Sequence, residues 1–101
     1  MLKCNISKVR GQSMTPTFFD LDYVLSMCWP NINYKLGDVV LVEHPRYGRI
    51  IKRICHIGLH NTYLLSGDHA SSTSTKQLGL IKQVNILGRV VFHVKQPRYI
   101  K

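Results

Sequence analysis

Acidic side chains are scarce in this chain. Asp and Glu total 5 against 14 Lys and Arg, a formal net charge of +9. That imbalance points toward a nucleic acid, a membrane surface or an acidic partner. No dense basic run accompanies it, because the cations are spread from Lys3 to Lys101. A generally basic surface and a functional charge patch both fit that spacing. Cysteines are few: Cys4, Cys28 and Cys55, with no CxxC. Their spacing excludes a paired-cysteine zinc site or redox motif, and scattered thiols suit a reducing compartment. No apolar run approaches the ~20 residues that cross a bilayer. The start, "MLKCNISKVRG", lacks the apolar stretch of a signal peptide. No HExxH occurs, and Gly58 between His56 and His60 argues against a helix that would aim both at one ion, so no metal or other cofactor is expected. There is no GxSxG nucleophile elbow, although a Ser-His-Asp triad stays open on composition.

The chain has 101 residues, with 45% hydrophobic and 19% charged. Those values describe one folded domain over residues 1–101, with no repeat and no linker-like boundary. Runs of β-formers alternate with turn signals. "DYVLSMCW" ends at Pro30, "GDVVLVEHP" is bounded by Gly-Asp and His-Pro, and "GRIIKRICHIG" is closed by glycine at both ends. "NTYLLSGD" follows after a short turn, which predicts a hairpin over 48–68. "VNILGRVVFHV" is the last expected strand, with Gly88 as a bulge or close-approach point. "SMTPTFFDLD" predicts a helical turn after Pro16. "HASSTSTKQLGLIK" predicts a loop with one helical turn near Thr75–Leu78. The tail "KQPRYIK" is expected to fray. The fold class is mainly β: a single small domain built as a coiled sheet or barrel.

Two residues raise the question of chemistry. On an extended strand Lys52 shares a face with Ile50 and Ile54, while Arg53 shares the other with Ile51, Cys55 and Ile57. A lysine in apolar surroundings loses hydration, its charged form is disfavoured, and its neutral amine becomes a general base. The other reading is a lysine that snorkels to water. Ser13 stands in "GQSMTPT", between Gly11 and Pro16. A serine there is either a turn former or a nucleophile waiting for a base. Lysine is one such base, and the N–H groups of a turn suit an oxyanion.

Four stretches, "GQSMTPT", "GDVVLV", "IIKRI" and "SGDHASSTSTKQLG", resemble in order and character the boxes of type I signal peptidases and their S24/S26-like relatives. These are serine proteases with a Ser-Lys dyad on a β-rich catalytic core. The resemblance runs from about Val9 to about Val94, nearly the whole chain. It implies that Ser13 is the nucleophile and Lys52 its general base, followed by Arg53. It implies that Met14 and Pro16 shape the site, that Gly37 and Asp38 form a structural Gly-Asp box, and that Asp68, after Gly67, pairs with Arg53. Ser72 matches the hydroxyl that orients the lysine, with Ser71 as the alternative because the spacing is short. His69, Ser74, Thr75 and Lys76 depart from the family's Asn, Asp, Ser and Arg, which removes a second ionic support. Gly11 supplies no side chain to an oxyanion hole, leaving that work to the Ser13 N–H.

The compact size and the boxes "GDVVLVEHP" and "ILGRVVF" are similar to the minimal nickel-type superoxide dismutase maturation proteases. That resemblance implies a partner: a precursor with an N-terminal leader, the nickel belonging to the substrate. A cytoplasmic location is implied, and a peripheral membrane contact is compatible with it. General signal-peptidase processing of exported proteins is the alternative. A self-cleaving repressor-type domain fits poorly, with twelve residues before Ser13. A basic β-barrel nucleic-acid module is the rival from another class. It would need aromatic platforms among its cations, and Tyr47, Tyr63 and Tyr99 are scattered. The dyad reading expects no nucleic acid as partner.

Overall fold

A computed structural model describes residues 1–96; the tail expected to fray, with Arg98 and Tyr99, lies outside the described residues from 97 on. β-branched and aromatic runs become strands where turn residues free their ends. These are β1 (Lys3–Lys8), β2 (Tyr23–Cys28), β3 (Val39–His44), β4 (Gly48–Ile57), β5 (Thr62–Ser66), β6 (Ile81–Lys82) and β7 (Ile86–Val94). They form one antiparallel sheet in the order β1-β2-β7-β3-β4-β5-β6. The mainly β, single-domain reading holds. β4 and β5 pair as a hairpin around Gly58–Asn61, with His60 and Asn61 in the left-handed region. The helical turn is α1 (Thr75–Leu78), entered through a capping box. Ser74 Oγ accepts the Gln77 N–H, and Gln77 Oε1 accepts the Ser74 N–H.

Two elements differ from expectation. β1 was not legible, because "KCNISK" has little apolar alternation; its ladder with β2, from Lys3↔Cys28 to Lys8↔Tyr23, makes it a strand. β6 is two residues long and pairs only with Thr62 and Tyr63 of β5. The helical turn expected after Pro16 falls around it instead: the Phe18 N–H donates to the Met14 carbonyl at 2.9 Å, and the pattern goes no further. Register slips where strands must bend. β2 skips a residue of β7 between Leu25 and Ser26, β3 skips one at Leu41/Val42, and β4 slips against β5 between Ile54 and His56. A Cβ on Gly88 would lie 2.9 Å from the Met27 carbonyl oxygen, so β7 approaches β2 too closely there for a side chain. The slip at Cys55 also breaks the apolar row expected beside Arg53. Ile51 is packed, but Cys55 and Ile57 are exposed.

The sheet buries both faces. Val40, Val42, Ile54, Leu65, Ile81 and Leu78 belong to one cluster; Val9, Met14, Phe18 and Val24 form the other, with Val39, Ile51 and Val90 packed on it. Alternation along β3 sends Val40 and Val42 one way and Val39 the other. His44, buried at the end of β3, holds the turn beyond it. Its Nδ1 accepts the Arg46 and Tyr47 N–H groups, so its Nε2 carries the proton and donates to the Leu78 carbonyl at 2.8 Å. That bond ties the β3–β4 hairpin to the end of α1.

Candidate active site

Lys52 lies opposite Val40 in the β3–β4 ladder, with Ile50 and Ile54 beside it on its face. It is 5% exposed. The snorkelling alternative is therefore not what the chain does here. Burial lowers the pKa of Lys52 below the ordinary lysine value. A buried amine without a compensating carboxylate is favoured in its neutral form.

Ser13 lies in the turn that crosses between β1 and β2. The Gln12 carbonyl accepts both the N–H and the hydroxyl of Thr15, at 3.1 and 2.9 Å. Met14 and Phe18 are the apolar feet of the turn, buried against Val9 and Val24. Pro16 is exposed within it and follows a cis peptide bond. Gly11 has φ of 77°, a left-handed conformation that glycine takes without a Cβ penalty. Its N–H donates to Asp20 Oδ1 at 2.7 Å. That group is committed to the turn and is not available to an oxyanion. Among the described residues the Ser13 N–H takes no backbone acceptor.

The loop after β5 holds the serine turn in place. The His69 N–H donates to the Ser13 carbonyl at 2.9 Å. A Cβ on Gly67 would lie 2.6 Å from that carbonyl oxygen and 2.4 Å from Ser72 Cβ, so only glycine fits between them. Arg53 and Asp68 form a forked pair, Nε to Oδ1 at 2.9 Å and Nη2 to Oδ2 at 2.8 Å. Arg53 Nη1 donates to the Gly37 carbonyl at 2.7 Å, and Thr17 Oγ1 donates to Asp68 Oδ2 at 2.6 Å. The Arg53 pair holds the Asp68 carboxyl below the ordinary carboxylate value, with the Thr17 bond adding to it. The same pair holds the Arg53 guanidinium up against the loss from its partial burial. Thus the residue next to Lys52 on β4 reaches, through Asp68, the turn that carries Ser13. Asp38, of the Gly-Asp box, accepts the Lys35 N–H and pairs with Arg89 at 2.8 Å.

Ser13, Met14 and Lys52 line one cleft of about 340 Å³, together with Thr73 and Leu78. Ser71 turns away: its N–H and hydroxyl both reach His69 Nδ1, at 3.0 and 2.7 Å. Ser72 lies over Gly67 beside the Ser13 carbonyl. Thr73, the next hydroxyl, is the one that lines the cleft with Ser13 and Lys52. Sequence reasoning missed Thr73, and it missed the clamp from Thr17. Both stand in a run of hydroxyl residues, where side-chain direction carries no signal in the one-dimensional pattern. Among the described residues no group of three His, Cys, Asp or Glu is placed to hold a metal, and no helix is long and apolar enough to cross a membrane.

The family model described as Peptidase S24-like matches residues 3–91. No curated protein and no solved structure matches the chain.

Proposed function

The chain belongs to the Peptidase S24-like family, and on that premise we propose that it is a serine endopeptidase working through a Ser13–Lys52 dyad. The observation that carries the proposal is the shared cleft: one buried lysine, its charged form disfavoured, lines it together with one serine whose turn is tied to the loop after β5. Neutral Lys52 takes the proton of Ser13 Oγ as that oxygen attacks the scissile carbonyl carbon. The oxyanion is received at the Ser13 N–H. Lys52 then gives the proton to the departing amine, and a water activated by Lys52 hydrolyses the acyl ester. Thr73, in place of Ser72 or its alternative Ser71, is the hydroxyl best situated to orient the lysine, because it lines the cleft while Ser72 packs over Gly67.

The substrate is a precursor bound in extended form. Among the described residues β1 is an edge strand that pairs only β2, so its outer backbone groups suit an added peptide strand. By the similarity of its boxes to the minimal maturation proteases, the precursor is a nickel-type superoxide dismutase, processed in the cytoplasm. The test is cleavage of that precursor followed by mass spectrometry. Wild type should release the leader, and Ser13→Ala and Lys52→Ala should lose about a thousandfold or more. Cleavage by either variant at the wild-type rate rejects the dyad. Cleavage of exported pre-proteins in place of the dismutase leader assigns general signal-peptidase work.

A further inference from the structure

The cleft beside Ser13 continues into a second cavity of about 460 Å³, and the two share Lys8, Arg10, Arg49 and Ile51. Lys8 ends β1 and Arg10 follows it, while Arg49 and Ile51 belong to β4. The sheet therefore coils until the end of its edge strand faces β4 across an open trough. Three exposed cations rim that trough, and its floor is apolar, with Val9, Met14 and Ile50 among its residues.

Among the described residues, one loose pair with Glu43 is all that meets this rim. Asp68 is taken by Arg53 and Asp38 by Arg89. Asp22 is buried and receives His93 and the Phe19 and Gln96 N–H groups. Asp20 receives the Gly11 N–H. Glu43 meets Arg49 at 3.9 Å, with both side chains about half exposed. A pair so loose and so wet holds Arg49 weakly. Among the described residues no carboxylate lines either cavity, although the chain has five acidic side chains.

We infer that the trough selects acidic peptides: the segment cleaved at Ser13 carries Asp or Glu near the scissile bond, received by Lys8, Arg10 and Arg49. This rests on the peptidase reading of the same cleft and adds its substrate class. Single-stranded nucleic acid is the less suitable polyanion. Among the described residues Tyr47 is the one aromatic lining either cavity, so they offer no stacking platform to accompany the cations. An apolar floor with a charged rim suits a peptide whose central residues are small or apolar and whose flanks are acidic.

The test uses three peptides of one length and one central sequence, with glutamate, glutamine or lysine at the flanking positions. Binding is measured on the Ser13→Ala protein by fluorescence anisotropy, and cleavage on wild type. The glutamate peptide should bind about tenfold more tightly than the lysine peptide, the size of effect that a few exposed ion pairs supply. The preference should shrink as salt rises. Arg10→Glu with Arg49→Glu should reverse the order of the peptides. Equal binding of all three, or a preference indifferent to that charge reversal, overturns the inference. A single-stranded oligonucleotide that binds more tightly than the glutamate peptide at equal salt, and displaces it, overturns it in favour of nucleic acid. Selective binding without cleavage of any peptide leaves the acidic preference standing and sinks the peptidase reading instead.

Discussion

At the scale of single residues, Lys52 is the one buried lysine or arginine among the described residues and no ion pair there meets it, which has a measurable cost. The folded pKa of Lys52 lies below that of the unfolded chain, ordinarily 10.5. Between those two values the unfolded state binds more protons, so stability rises with pH through that window and the penalty is full below it. Lys52→Met should therefore unfold at higher urea than wild type at neutral pH, with a gain of about 1 kcal/mol. The gain should narrow as pH approaches that of free lysine. A variant no more stable than wild type would mean the amine is solvated. Asp68 behaves oppositely. Its pKa is held below 3.8 by Arg53, so its contribution is present above that value and is lost as pH falls through the folded pKa. Asp68→Asn should cost about 1–2 kcal/mol at neutral pH, Arg53 being about a third exposed, and should flatten the acid limb of the stability curve. The two cases differ in what the sequence conveys. Lys52 was legible through the resemblance of "IIKRI" to a family box, since alternation with Ile50 and Ile54 by itself left burial and snorkelling both open. Thr17, which donates to Asp68, was not, since the two are far apart in the chain and no spacing connects them.

At the scale of elements, glycine decides how the serine turn meets the loop after β5. Gly67→Ala would put a methyl group 2.6 Å from the Ser13 carbonyl oxygen. Neither neighbour is the free end of a flexible side chain, so the turn must shift. The expected outcome is a loss of about 1–3 kcal/mol in thermal unfolding. A larger proportional loss in kcat/KM than in Tm is expected with it, because a shift of about 1 Å at a nucleophile costs on the order of a hundredfold. Unchanged cleavage by Gly67→Ala would show that the turn does not set the site. α1 was legible to the residue because its capping box is local: Ser74 and Gln77 are one turn apart. β1 was not, because its strand character comes from pairing all six residues with β2. The bulge at Cys55 escaped notice for the same reason. Alternation predicts which face a side chain takes only while the register runs unbroken.

At the scale of the whole molecule, a net charge of +9 in 101 residues makes the fold repel itself. Raising ionic strength from about 0.01 M to about 0.15 M shortens the screening length from about 30 Å to about 8 Å, so Tm should rise with salt over that range. Acidic-peptide binding should weaken over the same range, and the opposite slopes separate global repulsion from a local cationic trough. A Tm that falls with added salt would place the attractive pairs, Arg53–Asp68 and Arg89–Asp38, above the repulsion. The sequence by itself determined the class of the fold, most of the strands and the helical turn α1, and its resemblance to a known family pointed to Ser13 and Lys52. The strands and α1 are written in local patterns: alternation, caps and turn residues. Only the tertiary structure decided the insertion of β7 between β2 and β3, the commitment of the Gly11 N–H to Asp20, and the placing of Thr73, rather than Ser72 or Ser71, on the cleft wall. The coiling that gathers Lys8, Arg10 and Arg49 around one trough belongs with them. Those outcomes depend on which distant segments meet and at what register, and sheet twist and bulges set that only after the chain has closed on itself.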